Sequence, residues 1–265
     1  MDKPYQATKE IDVLPTHYLS PAEGFVQDNA FVIKATEPVL VDTGIGIDSE
    51  DFMNVLESVI DPEDLKWIWL THDDPDHTGS IQKVMDVATN ARLVLHAVAM
   101  SRTSTAWKVP IDRVYLLRPG ESISVGDRKL TAVQPPLFDN PSTIGIYDNK
   151  AEAFFSVDCF GAFLPSIGAQ DADKVKEADL AHGMITFAKV NTPWVHTFDQ
   201  NKFSQRLNKI RQIAPEIILP THLMPARRKT EQFLKMLADI PGSEPWVAPN
   251  QAALEKRLAQ MRGVG

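Results

Sequence analysis

The chain has few of the features that mark secreted, membrane-spanning or nucleic-acid-binding proteins. Among its 265 residues there is one cysteine, Cys159, so no disulfide can form within the chain and a reducing compartment is expected. No apolar run approaches the roughly 18 residues that a membrane-spanning helix requires. The N-terminal segment MDKPYQATKE is polar and charged, unlike an export signal. These absences predict a cytoplasmic protein that does not associate with membranes.

Clustered positive charge is also scarce. The formal net charge is −8, and the one basic cluster is the short run PARRKT at residues 225–230, which a solvated helix start explains. A chain of this charge is not expected to bind nucleic acid. Hydrophobic residues make up 43% of the chain, enough to bury a sizeable core.

Apolar runs rich in β-branched residues alternate with helical patterns along the chain. Strands are predicted over 25–35, 38–44, 67–70, 92–96 and 216–222, with a β-rich middle made of RVYLL, SISVG, KLTAVQ, TIGIYD and AFFSVD. Helices are predicted over 48–60, with an aspartate or serine cap, over 79–89, from 97 to about 107, over 228–239 and over 250–262. No change in composition marks a boundary, so residues 1–265 are expected to form a single layered domain of the α/β or α+β type.

The segment THDDPDHTGS, residues 71–80, holds the densest group of metal-binding side chains. It places His72, Asp74, Asp76 and His77 on a loop between a predicted strand and a predicted helix, where α/β proteins position their chemistry. A bound dication would neutralise the carboxylates, and zinc, iron or manganese would accept these ligands. The alternative is an exposed polar loop with a capping aspartate, and solvent exposure or capping is the role expected for Asp73.

The same segment resembles the signature loop of the metallo-β-lactamase superfamily, which reads His-x-His-x-Asp-His. Most hydrolytic members have histidine at the position of Asp74, whereas a carboxylate, usually glutamate, is typical of the flavodiiron proteins and the related oxygen-binding diiron proteins. VLVDTGIG (39–46), FFSVDCFGAF (154–163) and ILPTHLMPAR (218–227) resemble further segments of that branch, in the same order. The resemblance covers about residues 15–240. It implies an α+β fold, the four-layer αββα sandwich, with the ligand loops meeting at one edge of the sheets.

The resemblance also implies two metal sites that share one carboxylate. The implied ligands are His72, Asp74 and Asp158 at the first site, and Asp76, His77, His222 and Asp158 at the second. Asp158 would bridge the two metals. Asp42, in VLVDTGIG, would orient a ligand loop from behind.

One position departs from the family pattern. In QPPLFDNPST (134–143), which resembles the segment carrying a further family histidine, that position is Phe138. The adjacent Asp139 is the ready substitute ligand. Three protein ligands can still hold a metal, so the first site is expected to be weaker than the second, or empty. His96 is expected to pack or to cap a helix, and Cys159 to be a small buried hydrophobe.

The ligand set is rich in oxygen, which favours two iron ions, with zinc or manganese as alternatives. The resemblance implies a protein that binds or reduces dioxygen or nitric oxide, either as an oxygen sensor or as an oxidoreductase. Flavodiiron proteins take electrons from FMN in a fused flavodoxin domain, and no phosphate-binding loop for FMN is evident in this chain. A separate redox or signalling partner protein is therefore expected, together with a homodimer.

Two other functions remain open from the sequence. A dication with a bound hydroxide could hydrolyse an ester, lactone or thioester, although Asp74 and Phe138 remove two imidazoles from a hydrolase site. The chain could also be a degenerate member that kept the fold and a metal without catalysis.

Overall fold

The computed structural model describes residues 1–20 and 23–262, and these residues form two β-sheets with a shared hydrophobic core between them. The strands are β1 (Tyr5–Thr8), β2 (Ile11–Ser20), β3 (Gly24–Ile33), β4 (Val39–Val41), β5 (Trp67–Trp69), β6 (Arg92–Leu95), β7 (Val114–Leu116), β8 (Ser122–Ser124), β9 (Lys129–Val133), β10 (Gly145–Asp148), β11 (Ala153–Val157), β12 (Phe163–Leu164), β13 (Ile217–Pro220) and β14 (Ala226–Arg227). The helices are α1 (Ser49–Glu57), α2 (Pro75–Thr78), α3 (Ile81–Val87), α4 (Ala97–Thr103), α5 (Glu177–Asn191), α6 (Gln200–Ile213), α7 (Thr230–Ala238) and α8 (Gln251–Arg262).

Each sheet combines parallel and antiparallel pairs. The first has eight strands, in the order β1-β2-β3-β4-β5-β6-β7 with β12 paired to the start of β3. Strands β4 to β7 are parallel, and α1, α3 and α4 form the crossovers that parallel neighbours require. The second has six strands, in the order β14-β13-β11-β10-β9-β8, within which β11 and β13 are parallel.

Alternating side chains along each strand divide the molecule into four layers. In β5, Ile68 packs with the helices that cover the first sheet, whereas Trp69 lies between the sheets. In β11, Phe155 lies between the sheets and Phe154 packs with α5, α6 and α7. The order is helix, sheet, sheet, helix, so the predicted αββα sandwich is confirmed. Phe155 is 1% exposed, and truncating such a side chain to alanine costs about 3–5 kcal/mol.

The predicted strands and helices are confirmed to within a few residues at their ends, but two strands at the N-terminus were missed. The sequence analysis assigns no strand before residue 25, and the run IDVLPTHYLS, which forms β2, contains Pro15. In the structure β1 pairs with β2 only over residues 11–13. Pro15 thus lies beyond that ladder, at an edge position where proline is tolerated.

Two local predictions are corrected near the loops of interest. Asp48 is the N-cap residue of α1, but its side chain makes no capping hydrogen bond and accepts one from Thr16 Oγ1 at 2.8 Å. The segment after β5 is not wholly a loop, because α2 begins at Pro75, so Asp76 and His77 lie on a short helix. None of the helices within residues 1–20 and 23–262 has both the length and the apolar character needed to cross a bilayer.

Candidate metal centre

Most candidate ligands stand where strands end at one edge of the sandwich. Asp42 follows β4, the segment 71–77 follows β5, Asp158 follows β11 and His222 follows β13. Because β4 and β5 are parallel, and β11 and β13 are also parallel, each pair directs its C-terminal loops the same way. Both sheets therefore supply side chains to one place.

Close backbone packing fixes the loop after β5 against the turn after β4. The N–H and Oγ1 of Thr43 donate to the carbonyl oxygen of His77, at 2.8 and 3.0 Å. A Cβ on Gly79 would lie 2.2 Å from Gly46 N and 2.4 Å from Gly44 O. Only glycine permits this approach, so the sequences DTGIG and HTGS are both needed to position His77.

The ligand atoms form two half-sites, each with its atoms within 4.8 Å of one another. The first half-site consists of His72, Asp74 and Asp139, and the second half-site consists of Asp76, His77 and His222. A third group of the same compactness, His72, His77 and Asp158, connects them. The structure thus brings together the residues predicted from the sequence, including Asp139 as the neighbour of His72 and Asp74.

Asp158 lies between the half-sites with its two oxygens divided between them. Its Oδ1 is 3.1 Å from Nε2 of His77 and 3.3 Å from Nε2 of His222. Its Oδ2 is 3.7 Å from Nε2 of His72. In this arrangement each half-site faces one oxygen of the same carboxylate.

Each histidine is held from behind so that Nε2 points into the centre. The Nδ1 of His77 lies 2.8 Å from Oδ2 of Asp42, and that of His222 lies 2.9 Å from the carbonyl oxygen of Gln27. The Nδ1 of His72 lies 3.3 Å from Oγ1 of Thr71. Such partners set the tautomer and ring orientation of metal-binding histidines.

Several inward-facing polar atoms of the centre lack a hydrogen-bond partner in the part of the chain that the structure describes. Within the described residues, Nε2 of His72, Nε2 of His77, Oδ1 of Asp158 and Oδ1 of Asp139 are buried without a hydrogen-bond partner. Buried polar atoms of this kind are rare. The ring centroids of His72 and His77 are 3.9 Å apart, too close for both rings to carry a proton cheaply. Cations held by the lone pairs would satisfy all of these atoms.

The carboxylates differ in how readily they ionise. Burial favours the neutral acid, but the nearby imidazoles of His72, His222 and His77 hold the pKa of Asp158 well below its usual value. The imidazole of His72, whose Nε2 lies 3.5 Å from Oδ2 of Asp74, lowers the pKa of Asp74 to about 2. Burial and the negative charge of Asp158 raise the pKa of Asp139 to about 6. Near neutral pH all three carboxylates are available as anionic ligands.

The backbone directly before Asp158 is strained. Val157 has a φ of 58°, and its carbonyl oxygen accepts a hydrogen bond from Thr221 N at 2.9 Å. A β-branched residue rarely adopts this left-handed conformation, which costs about 1–3 kcal/mol. Strain of this kind is concentrated at functional sites, and here it turns the chain at the residue between the half-sites.

Asp28, on β3, is a neighbour of the centre that the sequence did not reveal. It is 1% exposed, and within the described residues neither carboxylate oxygen has a hydrogen-bond partner. Burial raises its pKa to about 7, although the charges of His222 and His77 act to lower it. In the sequence, Asp28 is an acidic residue within the strand GFVQDNAFVI. The strand pattern alone does not show which face of the sheet its side chain occupies.

The role expected for Asp73 is wrong. Its side chain is 5% exposed and forms an ion pair with Arg102, whose Nε lies 2.8 Å from Oδ2. Its Oδ1 accepts hydrogen bonds from Ser142 Oγ at 2.9 Å and Asn140 Nδ2 at 3.1 Å. Asp73 therefore ties the ligand loop to the segment after β9, rather than facing solvent or capping a helix.

Phe138 lies beside the centre, in a narrow pocket lined also by Asp158, Phe187 and Asn191. The guanidinium of Arg206 lies 5.4 Å from the Phe138 ring centroid.

Two lesser predictions are confirmed: Nδ1 of His96 caps α4 by accepting from Val98 N at 3.3 Å, and Cys159 is buried at 3% exposure.

Comparison with known proteins places these residues in context. The model of a family described as ODP family beta lactamase matches residues 26–222, which include every candidate ligand. A nitric oxide reductase of Moorella thermoacetica is 24% identical over 200 residues, 73% of this chain and 48% of that protein. The chain thus spans about half the length of that relative.

Two solved structures show the same fold. The rubredoxin oxygen:oxidoreductase of the anaerobe Desulfovibrio gigas superposes with a TM-score of 0.77 at 16% identity, covering 92% of this chain and 63% of that one. The flavodiiron protein of Giardia intestinalis superposes with a TM-score of 0.77 at 16% identity, covering 91% and 60% of the two chains.

Proposed function

The chain belongs to the ODP family beta lactamase group, and from this membership and the geometry of its half-sites we propose that it holds two iron ions and binds or reduces dioxygen or nitric oxide. The single observation that carries the proposal is the division of Asp158, with Oδ1 near His77 and His222 and Oδ2 near His72. The proposed ligands are His72, Asp74, Asp139, Asp76, His77, His222 and the bridge Asp158.

The donor set supports iron. Three imidazole nitrogens and four carboxylates surround the centre, and the three imidazoles all direct Nε2 inward. Zinc sites are typically four-coordinate and rich in histidine or cysteine, whereas carboxylate-rich mixed sites suit iron and manganese. Nε2 of His72 and Nε2 of His77 are buried without a hydrogen-bond partner among the described residues, as expected for atoms that bind a metal ion.

The names of the relatives support dioxygen and nitric oxide as the ligands. The Moorella relative is named a nitric oxide reductase, and the Desulfovibrio structure is named a rubredoxin oxygen:oxidoreductase. Both molecules are longer than this chain, which covers 48% of the Moorella protein and 63% of the Desulfovibrio protein.

The protein's own residues would orient and support the centre. When bound, the iron pair would supply electrons and open positions for a diatomic ligand. Asp42 and the carbonyl of Gln27 hold the rings of His77 and His222 in place. Asn191 Nδ2 donates to Oδ2 of Asp158 at 3.0 Å, steadying the bridge. Because the pKa of Asp158 lies well below its usual value, the carboxylate between the half-sites is ionised near neutral pH.

The electron source for turnover is proposed to be a separate protein. Without such a donor, the same centre would act as an oxygen or nitric oxide sensor read by a signalling partner. The two cases share the binding step and differ only in whether electrons are resupplied.

Metal analysis combined with two activity assays tests the proposal. Protein purified from iron-supplemented cells should contain iron in preference to zinc. With an artificial reductant, the iron-loaded protein should consume dioxygen or nitric oxide. Zinc at one equivalent, together with hydrolysis of an ester, lactone or thioester and no consumption of either gas, would replace this proposal with the hydrolase.

A further inference from the structure

We infer that the two half-sites prefer different metals: when both are offered, the second half-site takes iron and the first takes manganese. This inference rests on the proposed function, in which iron alone fills both half-sites, and specifies how the half-sites differ when manganese competes with iron. It comes from the unequal donor atoms of the half-sites and from the unequal hydrogen bonding around them.

The donor atoms differ in kind. The second half-site offers two imidazole nitrogens, from His77 and His222, and carboxylate oxygens from Asp76 and Oδ1 of Asp158. Nitrogen donors favour iron(II) over manganese(II), as the stability order of divalent metals describes. The second half-site therefore discriminates strongly for iron.

The first half-site offers one imidazole nitrogen, from His72. Its other donors are carboxylates: Asp74, Asp139 and Oδ2 of Asp158. Hard oxygen donors suit manganese(II) well, and with such donors the affinities for manganese(II) and iron(II) differ less. The ratio of iron affinity to manganese affinity is therefore smaller at the first half-site than at the second.

Phe138, beside the bridging Asp158, contributes no donor atom to the centre. Its ring lies in the wall beside Asp158, stacked near the guanidinium of Arg206 at 5.4 Å, and carries no lone pair. The next residue, Asp139, has a buried Oδ1 without a partner within the described residues, and it groups with His72 and Asp74. An oxygen donor thus stands beside the position where a nitrogen donor would otherwise be.

Hydrogen bonds also weaken the first half-site relative to the second. Asn140 Nδ2 donates to Oδ1 of Asp74 at 2.7 Å, and Nη2 of Arg102 lies 3.7 Å from the same oxygen. Asn191 Nδ2 donates to Oδ2 of Asp158 at 3.0 Å, whereas Oδ1 of Asp158 has no hydrogen-bond partner within the described residues. Donors of this kind reduce the negative charge available to a cation. Iron should therefore fill the second half-site first and leave the first for the more abundant metal.

The test loads metal-free full-length protein, without oxygen, with one equivalent of iron(II) and about a tenfold excess of manganese(II). After removal of free metal, anomalous diffraction is collected on either side of the iron and manganese absorption edges. The expected result is an iron signal beside His77 and His222 and a manganese signal beside His72. Iron distributed equally over both positions, or manganese at the second half-site, would overturn the inference.

Two variants sharpen the test. Phe138→His adds a nitrogen donor and should raise the iron-to-manganese ratio at the first half-site at least tenfold. Asp139→Ala should remove manganese while leaving about one iron per chain, with exposed Asp112→Ala as the matched control that keeps both metals. No change in the ratio for Phe138→His, with Asp139→Ala retaining manganese, would show that these residues do not set the preference.

The outcomes also separate this inference from the function it rests on. Two irons with gas consumption, and no manganese under any loading ratio, would overturn the inference and leave the proposed function standing. Absence of bound iron and manganese in the wild-type protein would overturn both.

Discussion

Oδ2 of Asp42 lies 2.8 Å from Nδ1 of His77, and both side chains are at most 2% exposed. Asp42 also accepts from Thr71 N at 2.8 Å and from Thr71 Oγ1 at 2.7 Å, and its φ of 59° places it in the left-handed region. Because Nδ1 is engaged, Nε2 of His77 is directed at Asp158. The turn after β4 thus sets the geometry of the second half-site without entering it.

Replacing Asp42 tests this support. Asp42→Asn keeps the size of the side chain but removes the charge that orients and strengthens His77. The affinity of the second half-site for iron(II) should fall about 10–100-fold, measured by competition with a chromophoric chelator. Asp112→Asn, at an exposed position, should leave the affinity unchanged. Equal affinities for Asp42→Asn and the wild type would show that Asp42 has only a structural role.

Gly161 offers a steric test of the position of His222. A Cβ at Gly161 would lie 2.6 Å from the ring of Phe187 and 2.8 Å from Cβ of His222, whereas one at Gly242 would meet nothing within 4 Å. Gly161→Ala should therefore displace His222, lower the metal content and reduce stability by about 1–3 kcal/mol. Gly242→Ala is the matched control in the same denaturation and metal-content assays. A Gly161→Ala protein with full metal content would mean that the loop after β11 adapts without moving the ligand.

Asp28 should make the metal-free protein less stable as pH rises. In the unfolded chain an aspartate titrates near 3.9, whereas in the folded protein the pKa of Asp28 is about 7. Between these values the unfolded chain is ionised and the folded protein is protonated, so folding stability falls from about pH 4 to pH 7.

The variant Asp28→Asn removes that loss. Its stability advantage over the wild type should grow from near zero at pH 4 to about 4 kcal/mol at pH 8, measured by urea denaturation in the presence of chelator. An advantage that is the same at both pH values would contradict the assigned titration. Asp112→Asn should show no such growth.

Much of the centre was predictable because its residues are close together in the sequence or follow strands with clear apolar patterns. THDDPDHTGS alone supplies His72, Asp74, Asp76 and His77, and its position after β5 follows from the buried run WIWL. Asp158 and His222 were predicted as ligands because their segments resemble those of a known family. The four-layer sandwich followed from the same resemblance.

What was missed depends on packing between distant segments. The register of β3 sets the face of the sheet that Asp28 occupies. The contact between the carbonyl oxygen of Gln27 and Nδ1 of His222 joins residues that are 195 positions apart in the chain. Asp73 appeared to be a solvent or capping residue because its partner Arg102 lies on α4, after the next strand. β2, which was also missed, contains Pro15, a residue uncommon inside strands, and only the pairing with β3 shows that the strand continues through it.

The most direct test of the central claim is dioxygen uptake by the iron(II)-loaded protein compared with His72→Ala and His77→Ala, one variant for each half-site. Metal-free protein is loaded with iron(II) anaerobically, iron is quantified, and oxygen consumption is followed with an electrode after mixing with buffer containing dioxygen. The account predicts about two irons per wild-type chain, and uptake that falls at least tenfold in either variant because both half-sites act together. Undiminished uptake in His72→Ala, or no reaction of the doubly loaded wild type with dioxygen or nitric oxide, would contradict a paired centre bridged by Asp158.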